Sequence, residues 1–276
     1  MAQEKPKAVL ITGASAGIGA AIAARLARAP FDVWGTSRRS DAPLPAPSVR
    51  MIQMDVRDPG SVSRGVDQMM AVAGRIDVLI NNAGNGIAAS VEDTSVADMT
   101  AQFDTNFYGP LRVCQAVIPI MRAQGHGRII QISSLAARIG IPFQGAYSAS
   151  KAALEGLSEA LSIELAPFNI QVAMVEPGDT KTSFTAARVW TKRAKASAVY
   201  GERARYAVRV MEKSEQAGTD PDEVAKLVEE AIAAAEPKLR YVSASRTERF
   251  ALLMQRLLPD RRFEAMIASA FERKNK

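Results

Sequence analysis

The chain has 276 residues, 47% hydrophobic and 23% charged, enough for one large α/β domain with a well-filled core. No run approaches the ~18 apolar residues of a membrane span, and the charged start (1–7) leads into a strand rather than a secretory signal. Cys114 and His126 are the only residues of their kinds, which argues against a disulfide framework, a Cys/His zinc site and a Ser-His-Asp hydrolase. The net charge of +6 lies entirely in 185–276, where 19 basic residues face 13 acidic ones, while 1–184 balances at 16 of each. No stripe of basic residues interleaved with aromatics accompanies it, so nucleic acid is not expected as a partner.

In chain order, strand-like apolar runs alternate with helix-like segments, the pattern of βαβ units in a parallel sheet. Strands are expected over 8–12, 32–37, 49–55, 78–81, 128–133 and 170–176. Helices are expected over 18–29, 59–73, 95–124 and 149–166, with a Pro-rich surface loop at 41–47. Beyond Glu176 regularity falls, and 179–217 reads as a polar, basic lid. A helix over 221–235 follows, with Asp220 as N-cap and Pro221 at its first position. The segment 247–276 reads as two short amphipathic helices parted at Pro259-Asp260. Their apolar positions (Phe250, Leu253, Met254, Leu257, Leu258) are expected to pack on the body or a partner subunit rather than a membrane surface. The fold expected is a single Rossmann-type doubly wound parallel sheet, domain 1–246 including the lid, with 247–276 as its helical extension.

The first expected strand runs into Thr12-Gly13-Ala14-Ser15-Ala16-Gly17-Ile18-Gly19 and then an alanine-rich helix. Such glycines permit a tight turn and let main chain approach a pyrophosphate, which the N–H groups of the helix start attract. The second strand ends in Ser37-Arg38-Arg39, without the carboxylate that would accept from a ribose 2′-hydroxyl. Arg38, with Ser37 or Ser15, suits a 2′-phosphate instead, favouring NADPH/NADP+ over NADH. Asp55-Val56, after the third strand, is placed to contact adenine.

Tyr147 and Lys151 stand four apart, on one face of a helix. A tyrosine exchanging protons near neutrality needs its pKa of ~10 lowered by roughly 3 units, and a cation one turn away is one means. Pro110 stands four residues after Asn106, and a helix through it leaves the Asn106 carbonyl without its usual N–H donor.

Together these residues resemble the short-chain dehydrogenase/reductase family, in its cytosolic branch. The motifs are the T-G-x-x-x-G-x-G loop, Asn81-Asn82-Ala83-Gly84, Asn106, Ser134, Tyr147-x-x-x-Lys151, and Pro177-Gly178 followed by Thr182. The resemblance implies Tyr147 as general acid/base, with Lys151 binding the nicotinamide ribose and lowering the Tyr147 pKa. It implies Ser134 as the holder of the substrate oxygen, with Ser133 as the neighbouring candidate. The Asn106 carbonyl would hold a water in a proton relay, and Asn82, Ala83 and Gly84 would steady the sheet beside the cofactor. Thr182, with Thr180, would fix the carboxamide.

The loop 140–143 and the extended C-terminus are similar to the 17β-hydroxysteroid and retinol dehydrogenase branch, implying a lipophilic ketone or alcohol. Phe184, Val189, Trp190, Val199, Tyr200 and Tyr206, with Ile141 and Phe143, are the expected pocket. The family implies a cytoplasmic homodimer or homotetramer. Two alternatives stand beside this reading. One is an acyl-carrier- or CoA-linked ketoreductase, drawn from the net +5 of 188–215. The other is a catalytically silent NADP(H)-binding regulator.

Overall fold

Valine, isoleucine and leucine fill both faces of the central strands, so the sheet needs helices on each side. In the computed structural model, which describes residues 5–272, the chain runs β1 (Lys7–Ile11), α1 (Gly17–Leu26), β2 (Phe31–Ser37), β3 (Arg50–Gln53), α2 (Pro59–Ala73), β4 (Val78–Asn81), β5 (Ile87–Ala88), α3 (Val96–Phe103), α4 (Gly109–Gln124) and β6 (Gly127–Ile132). It continues through α5 (Gly145–Leu165), β7 (Ile170–Pro177), β8 (Val189–Trp190), α6 (Lys192–Ala196), α7 (Gly201–Gln216), α8 (Pro221–Ala233), β9 (Arg240–Ser243), α9 (Arg246–Leu257) and α10 (Asp260–Phe271). Residues 1–4 and 273–276, the ends of the expected start and helical extension, lie outside the described residues.

The main sheet has the order β3-β2-β1-β4-β6-β7-β9, and every pair in it is parallel. One core, including Leu10, Leu79, Val113, Ile129 and Leu161, fills the face under α2, α4 and α5. The other, including Val9, Ile22, Ile80, Ile130 and Val228, lies under α1 and α8. The strand order reverses between β1 and β4, which opens a crevice at the strand C-termini.

The six expected strands are present, and the sheet adds β9 as a seventh. Its four residues pair from Met174↔Arg240 to Pro177↔Ser243. The expected helix over 95–124 is broken. Asp104–Tyr108 form a π-helical turn, in which the Gly109 N–H bonds the Asp104 carbonyl five residues back. Pro110, lacking an N–H, cannot continue the ordinary four-residue pattern there. The lid expected to be irregular instead holds β8, α6 and α7. Asp220 caps α8 as expected, its side chain accepting from the Asp222 N–H at 2.8 Å.

The two C-terminal helices pack on the body, and of the expected apolar positions Met254 and Leu258 are half-buried while the other three stay exposed in the single chain. Phe250, Leu253 and Leu257 are 56%, 49% and 66% exposed. No helix among the described residues is long and apolar enough to cross a membrane.

Candidate active site

A cleft of about 710 Å³ opens at the strand C-termini and runs from the glycine loop to α9 and α10. Its first half is built by β1 and the turn into α1. Gly13 (φ +67°) faces Ala83, whose Cα would lie 2.9 Å from any Cβ at that position, and a Cβ on Gly19 would strike the Gly13 carbonyl and the Asn82 amide. Asn82 locks this turn, its Nδ2 donating to the Thr12 and Gly13 carbonyls at 3.0 and 3.1 Å. Helix α1 begins without a side-chain cap and without an acidic residue in its first turn. Its N–H groups are therefore available to an anion. This cradle of bare main chain fits a dinucleotide pyrophosphate.

Ser15, Ile18, Ser37, Arg38, Asp55 and Val56 also line the cleft. Arg38 is exposed at its rim, while the Ser37 hydroxyl accepts from the Arg39 N–H at 3.2 Å. The Asp55 carboxylate, expected to contact adenine, lines the cleft and is clamped by the Arg57 guanidinium at 2.6–3.2 Å. Chiefly through that contact, and more weakly through the charge of Arg38, its pKa is held below the usual carboxylate value.

The second half centres on α5. Its long buried stripe, including Ser150, Lys151, Leu154 and Glu155, sets Lys151 under β6, where Nζ donates to the Ile132 carbonyl at 2.8 Å. Nζ lies 5.9 Å from the Tyr147 ring centroid. Burial pushes Tyr147 up to about 12, with Ser134 hydrogen bonding opposing the rise; Glu215 adds to it and Arg188 offsets it. Burial also pulls Lys151 down to about 8, against the field of Glu155. The expected lowering of Tyr147 by Lys151 is therefore not a property of the protein alone. An amine titrating near 8 is neutral before the phenol ionises, and burial outweighs it.

The chain also braces this half from outside the motif. The Asn106 side chain is fully buried; Oδ1 accepts from the Asn85 N–H and Nδ2 donates to the Asn85 carbonyl, each at 3.0 Å. Nδ2 also reaches Ser150 Oγ at 3.1 Å, and that hydroxyl donates to the Tyr147 carbonyl at 2.7 Å. Gln102, also fully buried, holds Asn85 with 2.8 Å bonds to its carbonyl and its side chain. The sequence signal for this brace was two amides four apart on one helix face.

Ser133, beside Ser134, donates to Glu155 at 2.7 Å, so its hydroxyl is already engaged. The Thr180 hydroxyl donates to the Gly178 carbonyl at 3.0 Å. Thr182, Pro177, Gly178 and Gly84 line the cleft, and the Thr182 Cβ would stand 3.4 Å from a Cβ on Gly17.

The substrate end differs from the expected pocket. Ile141 and Phe184 do line it, the latter ring 5.5 Å from that of Tyr147. Val189 and Trp190 instead pair as β8 with β5, Val199 is 74% exposed, and neither Tyr200 nor Tyr206 reaches the wall. Phe143 is also off the wall, held in left-handed backbone (φ 61°) with its carbonyl accepting from the Ala89 N–H at 3.0 Å. The wall is completed by Val210 and Met211 of α7, Ala251 of α9, and Ile267 and Phe271 of α10. Three carboxylates stand among them. Glu215 is tied to Arg188 and Thr185, Glu248 accepts from the Asp179 N–H at 2.6 Å, and burial pushes Asp179 up to about 6.

A sheet that reverses at a glycine loop, with Ser134, Tyr147 and Lys151 across the same cleft, defines a nicotinamide-dependent oxidoreductase. The chain belongs to the short-chain dehydrogenase family, whose model matches residues 7–193. It is 40% identical to the 3-ketodihydrosphingosine reductase of Bacteroides thetaiotaomicron, over 86% of this chain and 87% of that protein. It is 33% identical to human 17-beta-hydroxysteroid dehydrogenase type 1 (91% and 81% covered) and 38% identical to human retinol dehydrogenase 8 (65% and 60% covered).

A short-chain dehydrogenase from Streptomyces avermitilis superposes with a TM-score of 0.80 at 32% identity, covering 97% of this chain and 96% of that one. A metagenomic short-chain oxidoreductase solved with NADP gives 0.67 at 25% identity, with 86% and 96% covered. A Burkholderia phymatum enzyme solved with NAD gives 0.79 at 24% identity, with 93% and 94% covered, a likeness of fold. The chain is thus an oxidoreductase of the 17β-hydroxysteroid and retinol dehydrogenase branch, interconverting CH–OH and C=O with a nicotinamide cofactor.

Proposed function

We propose that the protein is an NADP(H)-dependent reductase of a lipophilic ketone, with Tyr147 as proton donor. The observation that carries this is a half-buried phenol, whose pKa desolvation pushes up to about 12, standing with Ser134 at the junction of a nucleotide cradle and an apolar cleft. The bound coenzyme supplies or removes the hydride. Ser134 and Tyr147 hold the substrate oxygen from two sides, and the phenol gives it a proton. Lys151 keeps the turn of α5 against β6 and presents its amine to the coenzyme ribose.

The 2′-phosphate preference is supported by Arg38 at the rim, by the lack of a carboxylate after β2, and by the engagement of Asp55 with Arg57. The lipophilic substrate is supported by the walls from α7, α9 and α10. Carboxylates at Asp179, Glu215 and Glu248 on those walls disfavour the phosphate-rich CoA or carrier reading.

A ketone panel followed by NADPH absorbance tests the reading. Turnover of bulky apolar ketones, and kcat about 10²–10⁴-fold lower in Tyr147→Phe with NADPH binding retained, is expected. Equal rates with NADH would remove the coenzyme assignment. Rates that fall steeply with salt on a carrier-bound substrate would favour the carrier reading. No turnover of any ketone or alcohol would leave a binding regulator.

A further inference from the structure

Helix α9 has two faces with different tasks. Thr247, Glu248 and Ala251 turn to the cleft. That face is pinned by Glu248, which accepts from the N–H groups of Asp179 at 2.6 Å and Ser245 at 2.7 Å, and by Gln255, which donates to the Arg138 carbonyl. The opposite face carries Phe250, Leu253 and Leu257, all largely exposed. At 3.6 residues per turn, these and Arg246, Arg249 and Arg256 fall within a sector of roughly 120°.

All three arginines are exposed. Arg249 gives its guanidinium to the Ala244 and Val242 carbonyls at 3.1 and 3.2 Å, which leaves its charge uncompensated. Among the described residues, no ion pair joins Arg246, Arg249 or Arg256 to a carboxylate. An apolar stripe bordered by unpaired arginines, on a helix fixed by its other side, is the composition of an interfacial helix.

We propose that this outer face of α9 docks the protein on an anionic phospholipid surface. Phe250, Leu253 and Leu257 enter the headgroup boundary, and Arg246, Arg249 and Arg256 meet lipid phosphates. A second copy of the chain is a poorer occupant, because antiparallel two-fold pairing of this face sets its arginine edge against the arginine edge of the partner. Resting on the lipophilic-ketone reading, the docking brings a cleft wall to the bilayer, so that an apolar substrate is taken up from the lipid phase.

Flotation of the full chain with phosphatidylserine/phosphatidylcholine vesicles tests this without any substrate. Capture by the mixed vesicles, at least tenfold weaker with phosphatidylcholine alone or in 0.5 M salt, is expected. Phe250→Ser with Leu253→Ser and Leu257→Ser, and separately Arg246→Glu with Arg249→Glu and Arg256→Glu, are each expected to cut capture at least tenfold. Both variants are expected to keep wild-type rates on a water-soluble ketone, which reports an intact fold and active site independently of docking. Absence of capture, or undiminished capture of either variant, would overturn the proposal. So would a dimer in sedimentation velocity that the triple serine variant dissociates, since the stripe would then be a subunit contact.

Discussion

The side-chain amide of Asn106 bonds both main-chain groups of Asn85, its oxygen taking the N–H and its nitrogen meeting the carbonyl, each at 3.0 Å. The loop after β4 is thereby tied to the α5 turn that carries Tyr147, through Ser150. Asn106→Asp replaces the donor with an oxygen that faces the Asn85 carbonyl. An unsatisfied buried polar group costs about 1–3 kcal/mol, so Tm should fall by roughly 3–10 °C, with kcat falling as the turn loosens. An unchanged Tm in a thermal melt would remove the brace.

Coenzyme choice should follow the end of β2. Ser37→Asp with Arg38→Ala sets a carboxylate where a 2′-phosphate would lie and removes a charge-assisted contact of about 1.5–3 kcal/mol. The NADPH-to-NADH ratio of kcat/KM should drop by roughly 10–100-fold. A ratio that does not move would refute the phosphate role of Arg38.

Lys151 makes the stability of the fold depend on pH. Its pKa is depressed to about 8 by burial, against ~10.4 when free. Below about 8 both folded and unfolded chains carry the charge, and the cost of burying it is fully present. Between 8 and 10.4 the unfolded chain binds more protons, and that cost fades as pH rises. Lys151→Met should therefore gain more Tm relative to wild type at pH 6.5 than at pH 10, while losing activity. A pH-independent difference in Tm would show that the amine is not buried with this penalty.

Gly19→Val tests the cradle. Even a Cβ meets the Gly13 carbonyl and the Asn82 side-chain amide, and the carbonyl yields only if the turn after β1 moves. Overpacking of this kind costs about 1–3 kcal/mol, and coenzyme affinity, read by fluorescence titration, should fall far more than stability does. Wild-type affinity would mean that the turn is not the pyrophosphate site.

The glycine turn, the strand ends and the Tyr147–Lys151 spacing were legible in the sequence because each acts locally, within one turn or one strand. The substrate half was not. Trp190 and Tyr206 stood in the expected stretch, yet β8 pairing diverts the first and the packing of α7 presents Val210 and Met211 instead. Strand β9 escaped because four residues, Arg-Tyr-Val-Ser, carry too little periodicity to separate from a loop. Which face of α9 turns to the body was also not legible. Amphipathicity reveals that a helix has two faces, and here a polar contact, Glu248 to the Asp179 N–H, decides which one turns in.

The cleft joins parts of the chain that are made far apart in time. Its nucleotide cradle is complete by Asn82, whereas the wall containing Ala251, Ile267 and Phe271 comes from α9 and α10. At about 5–20 residues per second, the glycine loop leaves the ribosome roughly 10–50 s before that wall is synthesised. Until α9 and α10 are made, the apolar side chains that they wall off at the substrate end are left open to solvent.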